Sequence, residues 1–207
     1  TGSIKIGEMI SNDQLYDYLT KFGIGSKTGS GLPGESRGIL PKVSTWSGTT
    51  APTVAFGQGY SVTAMQATSV FATIANDGVR VSPTVIAGTS DSSGNYTPSA
   101  TRESVRVISP ETAAQMRLMM ESVVSANGTA PAAAIPGYRV AGKTGTAQRI
   151  DDTCGCYRGY TASFIGFAPA DKPAYVISVT IQDPKGMHWG GYLGGPVFKK
   201  VMSFVLQ

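Results

Sequence analysis

In the segment Val140-Ala141-Gly142-Lys143-Thr144-Gly145-Thr146-Ala147-Gln148, a cation, two hydroxyls and a residue without a side chain come together on an apolar stretch. That combination suits acyl transfer on a substrate that ends in a carboxylate. An ammonium and hydroxyls grip the carboxylate, a glycine lets the ligand lie close to the backbone, and a backbone N–H faces the oxyanion that forms as the carbonyl is attacked. Lys143, Thr144, Gly145 and Thr146 supply these in order. The same residues have plainer uses: Lys143 as an edge-strand lysine that deters aggregation, Gly145 as a bulge.

A second copy of the motif, Lys27-Thr28-Gly29-Ser30, shows that the letters alone do not make a site. It lies in Gly23-Ile-Gly-Ser-Lys-Thr-Gly-Ser-Gly-Leu-Pro-Gly34, where closely spaced glycines and a proline predict a loop. A loop does not hold an oxyanion donor in place to a fraction of an ångström. The Lys143 copy follows Tyr138-Arg139-Val140 and precedes two strand-like runs, Tyr160–Phe167 and Ala174–Ile181, so it belongs to a sheet. Lys143 is therefore the functional copy.

The elements that must position it are legible in part. Ile4–Ile10 and Asp13–Phe22 predict two helices, with Asn12 or Asp13 as the N-cap and Gly23 as the stop. Residues 23–59, rich in Gly, Pro, Ser and Thr, predict a long irregular region packed around a site or another element. From Ser61, the spacing of Met65, Val70, Phe71 and Ile74 predicts a buried helix ending at Asn76-Asp77-Gly78. Ser82-Pro83-Thr84 opens an extended segment, and Asp91–Asn95 is a turn. Pro110–Val124 is the clearest helix, with proline at its start and Leu118, Met119, Ser122 and Val123 on one face that predicts core. The connector 168–173 is long enough for a hairpin and too short for a crossover helix, so the strands it joins are antiparallel. Pro196–Leu206 predicts a terminal helix laying Val197, Phe198, Val201, Met202 and Val205 on the sheet.

Composition narrows the functions. With 207 residues, 41% of them apolar, the chain can bury a sizeable core. No stretch approaches the roughly 18 apolar residues of a membrane span, and the first residues lack the pattern of a secretion signal. The net charge of +4 is scattered, without a Lys/Arg run or an interleaved aromatic strip, so nucleic acid is not an expected partner. Cys154 and Cys156 are the only cysteines and His188 the only histidine, too few for a structural zinc with its about four ligands, so neither metal nor cofactor is expected. The cysteine spacing admits a small disulfide ring or two free thiols and does not decide between them. His188 and Trp189 fall in a Gly-rich turn that suits a structural or rim position. Tyr160, at the start of the next strand, either lines the cleft or packs as a strand aromatic.

Six segments together resemble a known family. Phe22-Gly-Ile-Gly25, Leu32-Pro-Gly-Glu35, Phe56-Gly-Gln-Gly-Tyr-Ser-Val-Thr-Ala-Met-Gln66, Val140–Gln148, Ala162–Pro169 and Gly194-Gly-Pro-Val-Phe198 follow the order and rough spacing of class B penicillin-binding protein transpeptidase domains of the cell-division type. The Lys-Thr-Gly of that family is one of three motifs, beside Ser-x-x-Lys and Ser-x-Asn. The resemblance implies an α+β fold: an antiparallel β-sheet flanked by helices, like that of serine β-lactamases, with this chain as the C-terminal portion of the domain. It implies a peptidoglycan D,D-transpeptidase outside the cytoplasmic membrane, anchored by an N-terminal segment not in this chain. Its partners would be D-Ala-D-Ala stem peptides, β-lactam antibiotics, the upstream portion of its own domain and cell-division proteins. By motif position, Lys143 attracts the substrate carboxylate and completes the hydrogen bonds around the nucleophile, the Thr144 and Thr146 hydroxyls hold the carboxylate, and the Thr146 N–H is an oxyanion donor. Gln58 and Gly59 shape the cleft without reacting.

The chain departs from the family in one respect. None of its nine lysines has a serine three residues before it, so Ser-x-x-Lys is missing. Two Ser-x-Asn matches, Ser93-Gly94-Asn95 and Ser125-Ala126-Asn127, predict a turn and a helix cap. In the family, Ser-x-Asn comes just before the helix that Thr1 to Met9 resembles. The expectation is that the nucleophile and second motif lie on a segment before residue 1. The rival functions are a serine β-lactamase, for which no deacylating base is apparent, and a β-lactam-sensing receptor domain; the Leu32–Glu35 and Phe56–Gly59 segments favour the transpeptidase.

Overall fold

The computed structural model describes residues 2–100, 102–151 and 153–207. Thr1, at the head of the first expected helix, lies outside the described residues. Two compact units emerge, Thr1–Thr73 with Val79–Val107 and Ile74–Gly78 with Ile108–Gln207.

The first unit contains α1 (Gly2–Gly7), α2 (Asn12–Lys21), α3 (Thr50–Ala55) and most of α4 (Ala64–Ala75), then β1 (Val79–Val81), β2 (Gly88–Ser90), β3 (Tyr96–Pro98) and β4 (Ser104–Arg106). The starts of α2 and α4 follow one chemical rule. Ser11 is the cap of α2, one residue before the two expected: its hydroxyl accepts from Gln14 N while Gln14 Oε1 accepts from Ser11 N. Thr63 and Gln66 exchange the same pair of bonds at the start of α4, which begins at Ala64 and not at Ser61. A hydroxyl followed three positions later by glutamine satisfies two orphan donors at once, which outbids the carboxamide and carboxylate next door. The turn at Asp91–Asn95 is as expected, with Asp91 accepting from the Ser93 and Asn95 N–H groups between antiparallel β2 and β3.

Residues 23–59 are more ordered than their composition predicts. A 3₁₀ turn at Val43–Thr45 and α3 lie within them, and Gly7 lets α1 press on α3, since a Cβ there would stand 2.6 Å from that of Ala55. The rest is fastened by Gln66. Its side chain is 1% exposed, and its amide donates to Ser26 O at 2.8 Å and Arg37 O at 2.9 Å. Buried loop carbonyls need such a donor. Of the four apolar positions expected to bury α4, Ile74 is buried and Met65, Val70 and Phe71 are half-buried; Gln66 and Thr73 are the most enclosed.

The second unit contains α5 (Pro110–Glu121), β5 (Ala141–Asp151), β6 (Cys156–Ala168), β7 (Tyr175–Gln182) and α6 (Gly190–Val205). Ser109 caps α5 and Pro110 occupies its first turn, as expected. The buried face is not the expected one. Leu118 and Met119 are 61% and 59% exposed, while Ala113 and Met120 turn inward. Arg117, between them on that inner stripe, donates to Asp77 at 2.8 Å and to Ile74 O at 3.2 Å, and these contacts select the face.

The strands form an antiparallel sheet in the order β5-β6-β7, with the 168–173 connector making the expected hairpin. α6 starts six residues before Pro196, the expected start, so that proline sits inside the helix. Four buried glycines, at 190, 191, 194 and 195, let its first turns approach the sheet; a Cβ at Gly194 would stand 2.9 Å from that of Phe164. That contact offsets the hydrogen bond lost at the proline. Phe198 and Met202 are fully buried, Phe198 meeting Phe164 edge to face at 4.9 Å, whereas Val197 and Val201 face outward. Ala130, Ala133, Ile135, Val140 and Ala168 complete this core. The fold class is α+β, an antiparallel sheet with packed helices.

Candidate active site

β5 is an edge strand, bonded to β6 alone among the described residues. Its register is unbroken from Ala141 opposite Phe167 to Gln148 opposite Tyr160, so Lys143 faces Ile165 and Gly145 faces Ser163 across the ladder. Gly145 is thus no bulge; the bulge falls between Gln148 and Ile150. The glycine leaves room for its neighbour across the ladder, because a Cβ there would run into Ser163 Oγ unless that hydroxyl turned away. Alternate N–H groups of an edge strand point away from the sheet and are open to an extended ligand.

Val140, Ala141 and Gly142 are buried and anchor the strand, and Lys143 emerges exposed just beyond them. Its ammonium donates to Thr144 O at 2.9 Å, and among the described residues no carboxylate lies within ion-pair distance. The cation is uncommitted. Thr144 Oγ1 lies 3.2 Å from Thr129 Oγ1, and Thr146 Oγ1 accepts from Gly190 N at 3.3 Å. That last bond seats the N-terminus of α6 against the motif. A Cβ on Gly190 would strike the carbonyl oxygens of Ser163 and Gly145, so only glycine permits the approach. The partial positive charge at a helix N-terminus adds to that of Lys143 and favours an anion here.

Tyr160 is half-buried and stacks on His188, with ring centroids 4.0 Å apart and planes 8° apart. No signal along the chain marks this pair, since nothing local links a strand residue to a turn 28 positions later. His188 Nδ1 lies 3.3 Å from Gly186 O, and Trp189, beside it, is exposed and caps α6. The five candidate residues Lys143, Thr144, Gly145, Thr146 and Tyr160 therefore share one strand pair, joined there by Thr129, His188 and Gly190, which sequence reasoning had not placed at the motif.

The other candidates resolve differently. In the Lys27-Thr28-Gly29-Ser30 loop, the Glu35 carboxylate accepts from Thr28 N at 2.6 Å, from Thr28 Oγ1 and from Ser30 Oγ at 3.3 Å. Both hydroxyls are buried around it, so this copy already grips a carboxylate of its own chain. The Thr28 hydroxyl, and then its N–H, hold the Glu35 carboxyl below the usual carboxylate range. Ser93 and Asn95 sit in the β2–β3 turn, and Ser125 donates to Ser122 O past α5, as a turn and a cap. Gln58 N donates to Thr53 O and Gly59 adopts φ +79, which turns the chain out of α3. Cys154 and Cys156 form a disulfide at the tip of the β5–β6 hairpin.

Comparison with known proteins agrees with this architecture. The penicillin binding protein transpeptidase domain matches residues 1–203. The chain is 43% identical over 216 residues to penicillin-binding protein PbpB of Mycolicibacterium smegmatis, covering 100% of this chain and 33% of that one. It is 35% identical over 213 residues to the peptidoglycan D,D-transpeptidase FtsI of Escherichia coli, covering 100% and 34%. The crystal structure of penicillin binding protein 3 from Mycobacterium tuberculosis complexed with aztreonam superposes with a TM-score of 0.94 at 40% identity, covering 100% of this chain and 48% of that one. The chain spans about a third of the length of the curated relatives it matches.

Proposed function

The chain belongs to the penicillin-binding protein transpeptidase family, and from that premise we propose that it is the C-terminal portion of a peptidoglycan D,D-transpeptidase domain whose nucleophilic serine lies on a segment preceding residue 1. The observation that carries this is the uncommitted Lys143 on an edge strand, with the N-terminus of α6 seated one turn of the ladder away at Thr146.

In this reading a donor stem peptide ending in D-Ala-D-Ala lies along the open edge of β5. Lys143 and the Thr144 and Thr146 hydroxyls hold its terminal carboxylate by charge-assisted hydrogen bonds. The backbone N–H of Thr146 is one oxyanion donor, the N–H of the serine the other. The serine attacks the carbonyl of the penultimate D-Ala, the terminal D-Ala leaves with a proton, and an amine of a second stem attacks the ester, releasing the serine and forming the cross-link. A β-lactam takes the donor's place and acylates the same serine. Tyr160, held flat by His188, forms a wall at the far end of the motif. The enzyme works outside the cytoplasmic membrane on an anchor beyond this chain, in company with cell-division proteins.

The test is covalent labelling. A fluorescent penicillin should attach to the whole protein, with the adduct mapping to a serine outside these 207 residues, and should leave the isolated chain unlabelled. An adduct on a serine within the isolated chain would overturn the assignment.

A further inference from the structure

The hydroxyls of Thr144 and Thr146 each meet a second polar group of the chain. Thr146 Oγ1 accepts from Gly190 N at 3.3 Å, and Thr144 Oγ1 lies 3.2 Å from Thr129 Oγ1, 15 positions earlier. The group behind Thr144 is firmly mounted. Gly128 N donates to Ser125 O at 2.9 Å and Ala130 N to Val123 O at 2.8 Å, which brackets Thr129 between two backbone bonds, and Ala130 is fully buried. From the other side the first turn of α6 presses on it. A Cβ on Gly191 would strike Thr129 O and stand 2.9 Å from Thr144 Cγ2, so the glycine is what lets the two threonines meet beneath the helix.

We propose that Thr129 is a positioning residue that turns the Thr144 hydroxyl toward the terminal carboxylate of the donor. The inference rests on the reading above, in which Thr144 donates to that carboxylate. A hydroxyl carries one proton and two lone pairs, and an ionised carboxylate only accepts. The Thr144 proton is therefore committed to the ligand, and the contact with Thr129 survives only if Thr144 accepts there. Thr129 is then the donor. Its proton on a Thr144 lone pair keeps the Thr144 hydrogen from turning back toward the loop, and it polarises Thr144 as a donor in turn. Gly190 N–H does the same for Thr146. The two arrangements differ in one respect. A backbone N–H only donates, so Thr146 is oriented by the fold itself, whereas the orientation of Thr144 depends on one side chain and is removable by a single substitution.

The test uses the whole protein and the second-order rate of acylation by benzylpenicillin, for Thr129→Val, Thr144→Val and the double variant. Valine keeps the volume of threonine and removes its hydroxyl. Thr129→Val should slow acylation roughly three- to tenfold, the scale of one hydrogen bond, and Thr129→Ser, which keeps the hydroxyl, should stay within about twofold of wild type. In the Thr144→Val background, Thr129→Val should change the rate by less than about twofold, because the hydroxyl it orients is gone. A loss that persists undiminished in that background would mean that Thr129 acts on the loop or the sheet. An unchanged rate in Thr129→Val alone would mean that it orients nothing. Either result overturns the assignment, and where Thr129→Val does not fold, Thr129→Ala carries the same comparison. The two readings fail separately: a wild type that benzylpenicillin does not acylate removes the transpeptidase reading, whereas acylation without coupling between positions 129 and 144 removes only the role of Thr129.

Discussion

Glu35 and Lys143 show how differently two copies of one four-residue motif can be used. Around Glu35 the Thr28 and Ser30 hydroxyls are already consumed, while Lys143 has no acidic partner among the described residues. Lys143→Ala in the whole protein should therefore slow β-lactam acylation by roughly two to three orders of magnitude, the scale of one preorganised electrostatic group, and Lys27→Ala should leave it within about threefold. Stopped-flow acylation rates decide this, and the opposite ranking would mean that the site is misplaced. Glu35 makes a separate prediction. Its carboxyl titrates lower in the folded chain than in the unfolded one, so the unfolded state binds more protons. The stabilisation is then complete above the ordinary carboxylate range, about pH 4, and is lost as pH falls through the lowered folded value. Hydrogen-exchange protection factors across residues 26–38, taken relative to the intrinsic rate at each pH, should fall on acidification below about pH 4, and Glu35→Gln should show lower protection already at neutral pH.

Among the elements, the seat of α6 on the sheet depends on what its glycines leave out. A Cβ at Gly190 would meet two backbone carbonyls, which cannot move without shifting β5 or β6. Gly190→Ala should cost about 1–3 kcal/mol, the scale of overpacking a tight contact, and lower the melting temperature by several degrees. At Gly145 the obstacle is the end of a serine side chain, which can rotate away. Gly145→Ala should destabilise less, and adding Ser163→Ala should relieve most of the loss. Thermal melts of the three variants test this; equal losses at the two glycines would contradict it.

At the scale of the whole molecule, large apolar side chains stand exposed on both units. Met9 beyond α1 is 82% exposed, and Phe204 on α6 is 76% exposed beside the outward-facing Val197 and Val201. Contiguous patches of this kind mark surfaces that other protein covers. On the proposed reading that cover is the upstream portion of the same domain. The isolated 207-residue chain should then self-associate and bind a hydrophobic dye such as ANS, and co-expression with the upstream portion should suppress both. A monodisperse, dye-silent isolated chain would refute it.

The start of α5 at Pro110, the hairpin at 168–173, the Asp91–Asn95 turn and the placing of Lys143 on a strand and Lys27 in a loop could all be read from the chain, because each depends on residues within a few positions of one another. The Ser11–Gln14 and Thr63–Gln66 caps were readable on the same grounds and were missed in favour of Asn12, Asp13 and Ser61. Other features depend on distant groups meeting. Arg117 turns Ala113 and Met120 inward by reaching Asp77, Gln66 fastens carbonyls 29 and 40 residues away, and Gly190 reaches Thr146 across 44. Composition marked residues 23–59 as loop because it counts breakers, and it cannot register a buried glutamine that satisfies the loop's carbonyls. The residue types of the Lys143 motif and its place on a strand are local and legible; its setting, with His188 flat on Tyr160 and a helix N-terminus at Thr146, exists only once the sheet brings those residues together, since burial and hydrogen-bond geometry are properties of the packed chain and not of any window along it.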